Sequence, residues 1–411
     1  MQYFFILGNN PTLSLAEISA VFDLVDKNQG EFIAPNIFIL NINQDIQPNK
    51  LIKRLGGIIK IGKIYNTIQP NNKAIIDKGL DLIDKQEKQG KFKFGISYYG
   101  SKHINLKPIG MEIKKYLKEK KISCRWITSK EKTLSSVVVE QNKLTSKGIE
   151  IILIEDGNKI LLGQTKTVQP FKELSFRDYG RPARDDESGM LPPKLAQIMI
   201  NLAQANLEDT VLDPFCGSGT ILTEAALMGY KNLIGSDISK KAVEDTKQNI
   251  KWIKDKFEIR NSKFEIYSQN ATQLSQTLKH NSIDAIITEP YLGPQRGKID
   301  IKKTVQELEQ LYNKSLTEFK KILKPNGRVV MIWPVFLKTE MKVRFTNLAP
   351  SAPSVKAKFT NLAPRLNGFK IIKPLPEYLM TNKNIQLTPK NTIIYGRPEQ
   401  RIWREIVILE K

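Results

Sequence analysis

The chain has 411 residues, with 64 Lys and Arg against 42 Asp and Glu, a formal charge of +22 and an isoelectric point near 9.6. That balance suits a phosphate polymer, and also fits an anionic membrane surface or plain solubility. Two cysteines, Cys124 and Cys216, argue against a disulfide framework or a zinc site. No run of 18 apolar residues is present, and residues 3–7 are too short and lack basic flanks for a signal peptide, so the expectation is a cytoplasmic protein with no membrane attachment and no metal.

The length allows two or three domains. An apolar strand at residues 3–7 and a capped helix at 14–22 open the chain as an N-terminal module, residues 1–50. The next expected domain, 51–168, holds Leu55-Gly56-Gly57-Ile58-Ile59-Lys60-Ile61-Gly62, Phe94-Gly95-Ile96-Ser97-Tyr98-Tyr99, a basic helix around 111–120, and apolar runs near 135–142, 148–153 and 162–165. Lys114, Lys115, Lys118, Lys120, Lys121 and Arg125 would supply a phosphate-binding face, or simply a solvated one.

Residues 169–186 read as a linker, containing Phe176-Arg177-Asp178-Tyr179-Gly180-Arg181-Pro182-Ala183-Arg184. Arg181 and Arg184 are expected either to meet RNA phosphate or to pair with Asp185, Asp186 and Glu187. Met190-Leu191-Pro192-Pro193 then starts a helix through about Ala205, since the first turn has no use for the amide hydrogens that proline lacks.

The sharpest signal follows. Val211 and Leu212 lead into Asp213-Pro214-Phe215-Cys216-Gly217-Ser218-Gly219-Thr220, then a helix over 221–228 stopped by Gly229. A short strand, 232–235, ends near Asp237 and Ile238, with the acid about 20 residues past the glycine turn, the distance at which a βαβ unit offers a carboxylate to ribose hydroxyls. A nicotinamide fingerprint would want a third glycine where Leu222 stands, and Asp213 before the loop would hold an amino group rather than a pyrophosphate. Both features favour S-adenosyl-L-methionine, whose methionine part is an ammonium and whose sulfur is cationic. The octapeptide resembles the first motif of class I methyltransferases acting on nucleic-acid amino groups.

Ser239 caps a helix to about Lys256, residues 264–267 form a third strand, and Asn270-Ala271 sits where enzymes of this class bind adenine. A fourth strand, Ile283-Asp284-Ala285-Ile286-Ile287-Thr288, runs into Glu289-Pro290-Tyr291-Leu292. This resembles the Asp or Asn, Pro, Pro, aromatic motif of amino-methyltransferases, where a side-chain oxygen and a backbone carbonyl accept the two hydrogens of a weakly nucleophilic amine and a ring stacks on the base. In one register Glu289 takes the place of the acid, Pro290 and Tyr291 those of the prolines, and Leu292 that of the aromatic. In the other, Thr288 replaces the acid. The first is favoured because it keeps a carboxylate, which makes Glu289, Pro290 and Tyr291 the expected catalytic residues.

Helical spacing from Val305 to Leu323 and the turn Pro325-Asn326-Gly327 lead into a strand at 328–333. Phe345-Thr346-Asn347-Leu348-Ala349-Pro350 recurs as Phe359-Thr360-Asn361-Leu362-Ala363-Pro364, which reads as a surface insertion over about 340–366. Runs at 392–395 and 402–409 read as a terminal hairpin.

Taken together, the expected fold is α/β. A Rossmann-like class I methyltransferase domain at 187–411, with a mostly parallel seven-stranded sheet and a terminal antiparallel hairpin, follows an α+β THUMP-like RNA-binding region. The chain resembles the THUMP-containing tRNA guanine-N2 methyltransferase family, the one acting near position 10. That resemblance implies tRNA as partner and S-adenosyl-L-methionine as cofactor, and it leaves room for a small activating partner subunit. A DNA adenine-N6 methyltransferase and a non-catalytic RNA-binding protein are the alternatives.

Overall fold

The computed structural model describes residues 1–88, 90–184, 190–294, 297, 299–337, 359–362, 364–397 and 400–411. The chain divides into two compact units: Met1–Gly8, Asp26–Lys53 and Ile58–Pro170 form the first, and Asn9–Val25, Arg54–Gly57 and Phe171–Lys411 the second.

In the first unit β1 (Gln2–Leu7) leads the chain to α1 (Pro11–Phe22), which belongs to the second unit, before β2 (Gly30–Ala34), β3 (Ile37–Asn41) and α2 (Pro48–Arg54). There follow β4 (Ile58–Ile68), α3 (Asn72–Asp84), β5 (Phe92–Tyr99), α4 (Leu106–Glu119), β6 (Cys124–Ile127), α5 (Ser136–Gln141), β7 (Gly148–Asp156) and β8 (Lys159–Val168). The strands make one sheet in the order β2-β3-β1-β4-β8-β7-β5-β6. The separate module expected at 1–50 is therefore absent: β1 pairs with β3 on one side and with β4 on the other, so its hydrogen bonds are completed by both stretches. Ile109, Ile113 and Leu117 of α4 pack with Phe92, Phe94, Ile149 and Ile151 in one core. Inside this unit Lys60 and Glu150, both buried, lie 2.6 Å apart, and Ser97 and Thr165 also donate to Glu150, so the buried carboxylate is satisfied on both oxygens.

The second unit continues with α6 (Phe171–Tyr179), α7 (Pro193–Ala203), β9 (Thr210–Asp213), α8 (Thr220–Leu227), β10 (Asn232–Asp237), α9 (Lys240–Phe257), β11 (Lys263–Ser268), β12 (Ile283–Thr288), α10 (Ile301–Ile322) and β13 (Leu323–Leu337). It closes with β14 (Phe359–Asn361), β15 (Lys370–Ile371), α11 (Glu377–Met380), β16 (Ile393–Tyr395) and β17 (Ile402–Glu410). The sheet order is β11-β10-β9-β12-β13-β17-β15, with β14 on β13 and β16 on β17. The pairs from β11 to β13 are parallel and β13 to β17 is antiparallel, the arrangement expected of a class I methyltransferase, widened by two short strands to nine.

Two expectations need correction. Residues 171–179 of the expected linker are helical, because Arg177 donates twice to Glu224 of α8 (2.7 and 3.0 Å) and Leu174 is buried. The second copy of the repeat is not a free surface loop: β14 pairs antiparallel with Val335–Leu337, and Leu362 is fully buried. The first copy, Phe345 to Pro350, lies outside the described residues.

Candidate active site

In an open parallel sheet the ligand crevice lies beyond the carboxyl ends of the strands. There the second unit has a cleft of about 1450 Å³, lined from the glycine loop, the ends of β10 and β12, α10 and the β16–β17 turn.

The glycine loop is shaped by backbone that only glycine adopts easily: Gly217 has φ 52° and Gly219 φ 82°. A Cβ on Gly217 would meet nothing within 4 Å, so its backbone is bare toward the cleft. The turn is held from three directions. The Gly217 amide donates to Asp237 Oδ2 (3.1 Å), Thr246 Oγ1 donates to the Gly217 carbonyl (2.8 Å), and Asn249 Nδ2 donates to the Ser218 carbonyl (2.8 Å). Asp237 also accepts from the Ser239 amide (2.9 Å), so its carboxylate braces the loop while lining the cleft beside exposed Ile238.

Asp213 ends β9 almost wholly buried, and its Oδ1 accepts from Thr288 Oγ1 (2.7 Å) and the Phe215 amide (3.2 Å). Burial pushes its carboxyl up to about 7 against the lowering effect of those two donors. Burial also pushes the Cys216 thiol up, which makes it a packed, inert sulfur. Pro214, Phe215, Cys216, Ser218, Thr220, Asn270 and Ala271 all line the cleft; Gly219 does not, serving instead to cap α8.

Glu289, Pro290 and Tyr291 lie in the same cleft. Thr288 is fully buried and its hydroxyl donates to Asp213, whereas Glu289 is the carboxylate at this strand end that lines the cleft. Tyr291 is 55% exposed and Leu292 is buried, so the ring open to the cleft is Tyr291, which holds the aromatic place of the second register, not of the first. The Tyr291 carbonyl is taken by buried Tyr312 (2.8 Å), whereas the Pro290 carbonyl accepts no hydrogen bond among the described residues.

Sequence reasoning missed Arg404, whose Nε donates to Glu289 Oε1 at 2.5 Å and whose Nη2 lies 3.4 Å from Oε2. No local motif announces it, because its position follows from the antiparallel return of β17, which brings Ile402 and Arg404 opposite Phe336 and Pro334 at the carboxyl end of β13.

The expected RNA-facing arginines part ways. Arg181 is buried, donating Nη1 to Thr220 Oγ1 (2.6 Å) and Nε to the Arg177 carbonyl (3.0 Å), and its role is internal. Arg184 is exposed on the cleft, its guanidinium 5.6 Å from the Tyr179 ring; Asp185, Asp186 and Glu187 lie outside the described residues. In the first unit Lys115, Lys118 and Lys121 are exposed on or just after α4 and Arg125 is exposed on β6, Lys114 is half-buried, and Lys120 pairs with Asp84 at 3.0 Å.

The lining fits a nucleoside with a cationic tail: bare loop backbone, Asp237, Asn270 and the buried acid Asp213 all face one cleft. Residues 181–358 match the methyltransferase domain of RMKL-like proteins, and residues 61–248 match a DNA methylase model. The chain is 35% identical to the tRNA (guanine(10)-N2)-dimethyltransferase of Methanothermobacter thermautotrophicus over 37% of this chain and 41% of that one. To the enzyme of the same name from Pyrococcus abyssi it is 28% identical, over 53% and 61%. The crystal structure of TrmN from Thermus thermophilus superposes over 100% of both chains with a TM-score of 0.51 at 16% identity, which shows the fold. The chain spans about half the length of the curated relatives it matches. Over the matched stretches the chain is similar to RMKL-like methyltransferase domains and to tRNA (guanine(10)-N2)-dimethyltransferases, and its second unit has the class I methyltransferase sheet.

Proposed function

We propose that the protein methylates the exocyclic N2 amine of guanine in tRNA, near position 10, using S-adenosyl-L-methionine. The observation that carries this reading is that the glycine loop with Asp213 and Asp237, and the Glu289-Pro290-Tyr291 segment, open on one cleft. When bound, the cofactor supplies an electrophilic methyl on a cationic sulfur. Asp237 and Asn270 hold its adenosine, and Asp213 and the loop receive its cationic amino-acid part. Glu289 and the Pro290 carbonyl accept the two hydrogens of the target amine, leaving the nitrogen lone pair unshared and directed, while Tyr291 stacks on the base. Lys114, Lys115, Lys118, Lys121, Arg125 and Arg184 contact tRNA phosphate, and the protein works in the cytoplasm. No helix among the described residues is long and apolar enough to cross a membrane.

The DNA methylase match favours a second reading, transfer to adenine N6 in DNA, which makes the same demand on the amine end of the cleft. Labelled methyl transfer to total tRNA, set against duplex DNA and followed by nucleoside digestion, separates the two. N2-methylated guanosine from tRNA is the expected product, and label confined to DNA adenine would replace this reading with the other.

A further inference from the structure

Glu289 carries one methylene more than the acid or amide found at this place in amino-methyltransferases of this class. Left free, that arm has an extra torsion and would spread its oxygens over several positions. Arg404 removes that freedom. Its guanidinium meets both carboxylate oxygens, and the two side chains are only 10% and 13% exposed, so the contact is shielded from water. The strand that carries Arg404 is itself fixed: β17 pairs with β13 along nine residues, and Tyr395 of β16 lies opposite Arg404.

We propose that Arg404 is a positioning residue for methyl transfer, holding the Glu289 carboxylate so that its remaining lone pairs face the target amine. A carboxylate has about four lone-pair sites, and the guanidinium occupies one on each oxygen, so acceptor capacity for an N–H remains. A guanidinium has donors only, so Arg404 does not compete for the amine's hydrogens. It also offsets the charge of Glu289, and as the N–CH3 bond forms and the methyl–sulfur bond breaks, the proton that N2 gives up is lost to solvent. The inference rests on the reading that Glu289 receives the amine.

The test compares Arg404→Gln and Arg404→Lys in the full chain, each with Glu289 intact and with Glu289→Gln. Transfer to tRNA, cofactor affinity by calorimetry and thermal melting are measured on each. With Glu289 intact, Arg404→Gln is expected to lower kcat by about 100-fold, the effect of misplacing a reacting group by about 1 Å, with KM for tRNA and cofactor affinity unchanged. Arg404→Lys restores part of the rate, and with Glu289→Gln already present the Arg404 change adds little. Parent-level kcat in Arg404→Gln overturns the proposal while leaving the function standing. So does an equal loss in both Glu289 backgrounds, or a loss that follows melting temperature or cofactor affinity. No transfer by the parent to tRNA overturns the functional reading, and the role of Arg404 with it.

Discussion

At the glycine-loop end of the cleft the binding groups are placed by near neighbours in the chain: Gly217 donates to Asp237, 20 residues on, and Asp237 accepts in turn from Ser239. At the amine end Glu289 is held by Arg404, 115 residues away. Thr288 joins the ends, sitting next to Glu289 and donating to Asp213. The contrast teaches where a motif is self-sufficient. The proposed cofactor loop, made of backbone turns and its own acid, travels as one segment, whereas the proposed substrate acid, with its long arm, depends on a strand that the fold brings back.

If the loop end is braced from below, its support is the first thing to remove. Glu224, a buried residue of α8, accepts from Arg177 and from Gln197 (3.0 Å). Arg177→Met strands that carboxylate and is expected to cost about 3–5 kcal/mol of stability, the usual loss when one partner of a buried pair is deleted. An unchanged denaturant midpoint would show that the brace is dispensable. The amine end is supported instead by strand pairing. Excising Phe345 to Pro364 removes β14 and the buried Leu362, and the loss of such a side chain alone costs about 2–5 kcal/mol. A melt identical to the parent's would mean that β14 contributes nothing to the carboxyl end of β13.

Smaller effects separate cofactor from amine. Asp237→Ala removes the acceptor for two backbone amides and the proposed ribose contact, and should weaken cofactor binding by about 1.5–3 kcal/mol; calorimetry with equal affinity would take Asp237 out of the site. Asp213 gives the pH dependence. Its folded value of about 7 lies above the ordinary 3.8. The protein without ligand therefore loses this group's contribution to stability as pH rises from about 4 through about 7. A cation bound beside it favours the ionised form, so cofactor affinity should rise over the upper part of that window and level off above it. Asp213→Asn should flatten the profile, and a profile unchanged by that substitution would exclude Asp213 as its source. Tyr291→Ala should weaken tRNA binding by about 1–3 kcal/mol through lost stacking, with cofactor affinity kept.

How much of this was legible in the chain follows the same division. The octapeptide around Gly217, the capped helix after Ser239 and the terminal hairpin are local patterns, and each lies where its residues predict it. Arg181 looked like a phosphate contact because a lone arginine between Gly180 and Pro182 carries no sign of burial; its hydroxyl partner, Thr220, is 39 residues away. α1 was misassigned for a related reason. Glu17, fully buried and pushed up to about 7 by that burial, accepts from the Gly56 and Gly57 amides and from Asn201 of α7, none of which is near in sequence. The β1 strand likewise could not reveal partners on both sides before the sheet was known.

The central claim, that one cleft holds a cofactor end and a separable amine end, is tested most directly on Glu289→Ala, with Thr288→Ala beside it. Methyl transfer to tRNA and cofactor affinity are measured on the same preparations. The account predicts that Glu289→Ala lowers transfer by about 10²–10³-fold, the scale of losing one oriented polar group at a reacting centre, with cofactor affinity kept. Thr288→Ala should act chiefly on cofactor affinity through Asp213. Full transfer by Glu289→Ala, or the reverse ranking of the two substitutions, would contradict it.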